Sequence, residues 1–209
     1  MLDHWLSSSK FKESYEIFVQ KLIKNKISAN QLTFIGLIIG LLSALFIFLS
    51  GILPFYFFPL YLSSIILMVI SFIFDTLDGP IARLEGTTEF GGVLDIFCDR
   101  FVEVSIIITL VSTDPIRLIY PGLISLGAMV LCISMFLLSG ILTRVNESEK
   151  SSKVIPFRKG FMERSETFLF FLFIDIFFTF RMILLWIFAI FVLFTAFLRL
   201  IEVYRIFNA

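Results

Sequence analysis

The sequence predicts an all-α membrane protein in which six transmembrane helices follow an amphipathic interfacial helix at the N-terminus. Three observations carry this prediction. The 209 residues are 58% hydrophobic and only 16% charged, with 28 Phe, which is more apolar surface than a water-soluble fold can hide. From Ile27 to Phe74 the chain contains no Asp, Glu, Lys or Arg. A bilayer-spanning helix needs about 20 mainly apolar residues, so that stretch crosses at least twice. The basic residues, finally, are unevenly distributed about the apolar runs.

Residues 1–30 read as a cytoplasmic segment ahead of a membrane domain covering 31–209. Within the segment Phe11, Tyr15, Phe18 and Leu22 recur at helical spacing between Lys10, Lys12, Lys21 and Lys24. This pattern suits a helix lying in the membrane interface, and equally a cytosolic lead-in helix. The polar start contrasts with the short apolar core of a cleavable signal, so the first span is expected to act as its own signal-anchor. Apolar run length places the spans at 32–50, 54–77, 91–112, 118–142, 165–180 and 182–203. Gly51 and Pro54 break the first long run, and Asp114-Pro115 separates the third span from the fourth. Arg181 alone marks the turn before the last span, which leaves open one long helix in place of the final two. Gly36 and Gly40 form a GxxxG in the first span that admits close approach of another helix. Packing within the chain is the simpler expectation, and a homodimer is kept open as a partner.

With six spans, only Arg117 and Arg181 of the 17 basic residues fall on the far side. Both termini are therefore expected to be cytoplasmic, in a multi-pass protein of the cell (plasma or inner) membrane. A net charge of zero argues against nucleic acid as a partner. Cys98 and Cys132 both fall in apolar segments, where packing is the expected role, and the sole histidine, His4, precedes every span. Acid-base chemistry in the membrane region is left to carboxylates, lysines or tyrosines.

The segment Phe74-Asp75-Thr76-Leu77-Asp78-Gly79-Pro80-Ile81-Ala82-Arg83, followed by Gly91-Gly92-Val93-Leu94-Asp95-Ile96-Phe97-Cys98-Asp99-Arg100, puts four aspartates at the cytoplasmic ends of two successive spans. Asp75 and Asp78 are three apart and Asp95 and Asp99 four apart, so each pair shares one helix face. Charges at membrane depth cost several kcal/mol and normally line a cavity, pair or bind ions. Four clustered carboxylates call for cations among them, and hard divalent ions with oxygen ligands answer that need. The plainer alternative is a set of interface charges paired with Arg83 and Arg100, but it leaves Gly79, Ala82, Gly91 and Gly92 beside the acids unexplained. Glu103 extends the Asp95, Asp99 stripe by a turn and is expected to partner an arginine such as Arg100. Asp175, deep in the fifth span, is expected to play a structural part.

These residues resemble the signature of the class I CDP-alcohol phosphatidyltransferases: an Asp-x-x-Asp-Gly-x-x-Ala-Arg segment, then a glycine, then Asp-x-x-x-Asp. Asp75, Asp78, Gly79, Ala82, Arg83, Gly91, Asp95 and Asp99 supply its fixed positions in order, with one residue fewer between Arg83 and Gly91 than in the family. Asn30 and Thr33 resemble the Pro-Asn-x-x-Thr before the family's first span, with Ala29 in place of proline. Glu163-Arg164-Ser165-Glu166 and Thr195-Ala196-Phe197-Leu198-Arg199 are weaker echoes. The resemblance implies phospholipid biosynthesis, in which a phosphatidyl group moves from a CDP-linked lipid such as CDP-diacylglycerol to an alcohol and CMP is released. It also implies Mg²⁺ or Mn²⁺, as two ions, held by Asp75, Asp78 and Asp95. Asp99 would share in metal binding or take the acceptor's proton, and Asn30, Thr33, Gly79, Ala82, Arg83 and Gly91 would surround the CDP-lipid. Arg144, Lys150, Lys153, Arg158, Lys159 and Arg164 crowd the loop between the fourth and fifth spans, and Arg199 ends the last span on the same side. Arg144, Arg164 and Arg199 are the candidates for binding a phosphorylated acceptor, either inositol phosphate or glycerol phosphate. The Phe-Gly-Gly-x-Leu-Asp and Cys-Asp-Arg wording resembles the inositol-phosphate branch, whereas Leu142 and Thr167 stand where that branch would carry basic residues. Two rivals remain: a membrane prenyltransferase, whose Asp-rich motifs usually lie in separate halves of a longer chain, and a divalent-cation transporter, for which no internal repeat is visible.

Overall fold

The computed structural model describes residues 28–149 and 164–207, so the expected interfacial helix and the basic residues Lys150, Lys153, Arg158 and Lys159 lie outside the described residues. All regular structure among the described residues is helical. Six helices follow one another: α1 (Ala29–Ile52), α2 (Phe57–Glu85), α3 (Glu89–Thr113), α4 (Pro115–Glu149), α5 (Arg164–Ile176) and α6 (Arg181–Phe207). Short 3₁₀ turns at Pro54–Tyr56 and Phe178–Phe180 precede α2 and α6.

Local chemistry sets the helix ends. Ser28 and Gln31 form a capping box on α1, where the Gln31 N–H donates to Ser28 Oγ at 3.3 Å and the Ser28 N–H donates to Gln31 Oε1 at 3.0 Å. Pro54 ends the first helical run as expected. Helix α2 runs on through Pro80 to Glu85 and stops at Gly86, whose φ of +101° is a conformation that favours glycine. Thr88 then caps α3, its Oγ1 accepting from the Gly91 N–H at 3.0 Å.

The chain divides into two compact units at Pro115. In the first, α1 packs against both α2 and α3. Small residues make this close approach possible. A Cβ on Gly36 would lie 3.5 Å from Phe74 Cβ, and one on Gly40 would lie 2.7 Å from both methyls of Val102 on α3 and 3.0 Å from Ser71 Oγ on α2. The GxxxG therefore serves packing within the chain. Serine hydroxyls tie the α1–α2 pair, with Ser71 Oγ donating to the Gly36 carbonyl and Ser43 Oγ to the Ser64 carbonyl, both at 2.8 Å.

In the second unit α5 and α6 are two helices joined at the Phe178–Phe180 turn, which resolves the choice between one helix and two in favour of two. Their contact is aromatic, with Phe171 and Phe188 rings 5.1 Å apart and Phe170 lying edge-on to Phe191 at 5.8 Å. Phe171, Ile174, Leu185 and Phe188 are fully buried there.

Four helical segments among the described residues are long and apolar enough to cross a bilayer: Ala29–Ile52, Pro54–Glu85, Pro115–Gly140 and Phe178–Tyr204. The other two helices explain why the expected count of six is not reached by that measure. Helix α3 carries Asp95, Asp99, Arg100 and Glu103 along its length. The 13 residues of α5 rise only about 20 Å, short of the roughly 30 Å hydrocarbon core. Many large apolar side chains point outward, among them Phe34, Ile38, Leu45, Ile66 and Ile108. Together with the four apolar helices, this surface is that of a membrane protein.

Candidate active site

The acid-bearing ends of α2 and α3 face each other across a hairpin whose connector is only Gly86-Thr87-Thr88. One carboxylate oxygen from each of Asp75, Asp95 and Asp99 lies within 4.8 Å of the other two, and all three residues are partly buried. At that distance, with an effective dielectric of about 20, each pair of ionised carboxylates repels by roughly 3.5 kcal/mol. The cluster can therefore accommodate positive charge. Its all-oxygen donor set fits a hard divalent cation, and the aspartate cluster can bind metal.

Asp78 stands apart from this trio. Only 5% exposed, it accepts a hydrogen bond at Oδ2 from Thr33 Oγ1 of α1 at 2.7 Å. This contact ties two residues that the sequence grouped on different grounds. Asn30, a turn before Thr33, is exposed and lies beside the start of α3, since a Cβ on Gly91 would come within 3.1 Å of Asn30 Oδ1 and 2.9 Å of Thr88 Oγ1. Gly91 therefore has a structural reason to be glycine in addition to the substrate role implied by resemblance. At Gly79 and Gly92 a Cβ would meet nothing within 4 Å among the described residues, so both glycines border space that those residues leave open. Ala82 packs against an apolar cluster of Ala29, Leu32, Leu77 and Ile81, and its small side chain is part of the α1–α2 contact. Arg83 is exposed in the last turn of α2.

Arg100 and Glu103 form an ion pair on α3 with 2.5 Å between Nη1 and Oε2, the partnership expected for Glu103. Asp175 is fully buried in α5. Arg144 and Arg164 fall in the helical backbone of α4 and α5, and their side chains lie outside the described residues. Arg199 on α6 sits over the Phe136 ring of α4, 4.7 Å from its centroid, and its Nε is buried with no hydrogen-bond partner among the described residues.

Sequence reasoning missed Glu85 and Phe136. Glu85 Oε2 accepts from the Ala29 N–H at 3.1 Å, which supplies a partner for an N–H that α1 cannot satisfy itself. Its spacing from Asp78, seven residues on the same helix, was the available signal. Nothing in the local sequence marks Phe136 as the aromatic partner of an arginine on another helix.

The family model for CDP-alcohol phosphatidyltransferase matches residues 26–196. The archaetidylinositol phosphate synthase of Pyrococcus horikoshii is 37% identical over 99 residues, a match covering 47% of this chain and 48% of that protein. The chain thus spans about half the length of this curated relative. Two crystal structures of Mycobacterium tuberculosis phosphatidylinositol phosphate synthase (PgsA1) share the fold. The complex with manganese and citrate matches with a TM-score of 0.68 and 21% identity, over 91% of this chain and 88% of that one. The structure with CDP-DAG bound matches with a TM-score of 0.65 and 22% identity, over 89% and 91% respectively.

Proposed function

Because the chain belongs to the CDP-alcohol phosphatidyltransferase family, we propose that it transfers a phosphatidyl group from CDP-diacylglycerol or a similar CDP-linked lipid to a phosphorylated alcohol. CMP is released, and the reaction is a step of phospholipid biosynthesis. The observation that carries this reading is the convergence of Asp75, Asp95 and Asp99 within 4.8 Å beside glycines that border space the described residues leave open.

Asp75, Asp78 and Asp95 are assigned to metal, with Asp99 shared between metal binding and proton transfer. A bound pair of Mg²⁺ or Mn²⁺ ions would neutralise the donor diphosphate and lower the pKa of the acceptor hydroxyl. Asp99 takes that hydroxyl's proton. The freed oxygen bonds to the β-phosphorus as the bond from that phosphorus to the bridging oxygen breaks, and CMP leaves with the bridging oxygen. No histidine lies in the helical domain, so a carboxylate is the base at hand. Gly79 and Gly92 leave room for the nucleotide, with Asn30, Thr33, Ala82, Arg83 and Gly91 around it. A lipid donor accounts for a site within a membrane protein, because its tails remain in the bilayer while its diphosphate reaches the acids.

Arg144, Arg164 and Arg199 are assigned to the acceptor's phosphate. Inositol phosphate is favoured over glycerol phosphate, a preference supported by the similarity to an archaetidylinositol phosphate synthase and by the fold shared with a phosphatidylinositol phosphate synthase. Six spans with both termini in the cytoplasm remain the topology that the distribution of basic residues supports. The test is CMP release from CDP-diacylglycerol against inositol phosphate, glycerol phosphate, inositol and serine, with and without chelator. Full turnover without metal, or turnover with serine that exceeds turnover with both phosphorylated acceptors, would overturn the assignment.

A further inference from the structure

Two carboxylates on one stripe of α2 accept hydrogen bonds from α1. Asp78, Ile81, Ala82 and Glu85 follow the spacing of a single helix face. At one end of that stripe Asp78 accepts from Thr33 Oγ1 at 2.7 Å, and at the other Glu85 accepts from the Ala29 N–H at 3.1 Å. Ile81 and Ala82 fill the interval against Ala29 and Leu32. Ala29 and Thr33 are themselves one turn apart on α1, and Asn30, between them in sequence, reaches the first turn of α3 beside Gly91. The capping box leaves the Ala29 N–H to be satisfied from outside α1, and a carboxylate at a helix N-terminus also meets the positive end of its dipole.

We propose that Glu85 is a positioning residue for the donor half of the site: by holding the first N–H of α1, it keeps Asn30 and Thr33 set against α2 and α3. This rests on the phosphatidyl-transfer reading. Glu85→Ala removes the acceptor, whereas Glu85→Gln keeps an oxygen able to accept from the same N–H. The KM for CDP-diacylglycerol should rise roughly 3- to 10-fold in Glu85→Ala, the range that corresponds to losing a helix cap. The acceptor KM should hold, kcat should stay within about two-fold, and Glu85→Gln should recover most of the loss.

The second measurement is independent of turnover. Amide hydrogen exchange of the segment from Ser28 to Gly36 should quicken in Glu85→Ala and return toward wild type in Glu85→Gln. Unchanged exchange in Glu85→Ala sinks the clamp. Faster exchange with an unchanged donor KM, or equal loss in kcat and both KM values, sinks the positioning role. Wild-type protein that releases no CMP from CDP-diacylglycerol sinks the underlying reading and the donor role with it, even where the exchange difference persists.

Discussion

Replacing Asp95 with Asn should move stability and metal binding in opposite directions. Three carboxylates within 4.8 Å of one another make three repelling pairs, and neutralising one removes two of them. Each pair is worth roughly 3.5 kcal/mol at an effective dielectric of about 20 and about 0.9 kcal/mol at that of water. The sites are only partly buried, so the relief in metal-free protein falls between about 2 and 7 kcal/mol. Asp95→Asn in chelator at mildly alkaline pH should therefore unfold at higher temperature than wild type. With saturating Mn²⁺ the order should reverse, because wild type gains stability from binding that the variant has lost. Mn²⁺ affinity should fall by at least the roughly 10- to 100-fold that loss of a group merely orienting a ligand costs. Thermal unfolding with and without Mn²⁺, followed by Mn²⁺ titration of both proteins, reads every part of this. A variant less stable than wild type in chelator, with its Mn²⁺ stabilisation intact, would show that the three acids are ordinary paired charges.

Asp75→Asn should weaken metal-dependent donor binding, whereas Asp99→Asn should abolish turnover and leave more of that binding; equal binding loss in a CDP-lipid titration would make Asp99 a ligand only. Arg164→Ala and Arg199→Ala should raise the acceptor KM far more than the donor KM. Phe136→Leu should raise it about 2- to 5-fold, as expected from losing a cation–π contact of roughly 0.5–1 kcal/mol, and steady-state kinetics check all three. Gly40→Ala would push a methyl to 2.7 Å from both Val102 methyls, at a cost of roughly 1–3 kcal/mol that adding Val102→Ala should relieve in thermal unfolding. Single cysteines at Lys150 and Arg117 in a cysteine-free background should label from opposite sides of the membrane, and labelling from one side would refute the six-span topology.

The acids were legible because their spacing is a helical repeat: Asp95 and Asp99 had to share a face wherever α3 lay. The membrane class was equally plain from the charge-free run before Asp75. What stayed hidden depends on contacts between segments distant in sequence. That Asp78 turns to Thr33 depends on how close α1 comes, which Gly36 and Gly40 decide. Gly91 and Ala82 read as clearings for substrate, yet both also meet α1, and no local pattern reveals an antiparallel neighbour. Helix α5 illustrates another gap. Its apolar run continues past Ile176 to Phe180, and hydropathy does not register the 3₁₀ turn that ends the helix early.

The three-residue connector between α2 and α3 makes the acids a ladder. Asp75 lies ten positions before the last residue of α2, and Asp99 ten after the first residue of α3. At 1.5 Å per residue both stand about 15 Å from the connector. Asp78 and Asp95 stand nearer, at about 10 Å and 9 Å. The hairpin therefore sets Asp75 and Asp99 on one rung, in keeping with their meeting in the cluster, while Asp95 joins them from one turn nearer the connector and Asp78 turns away to Thr33. Rung height is counted from the helix ends and not along the loop. A connector one residue shorter than usual therefore leaves Asp75 and Asp99 level, because the turn's length does not enter the count.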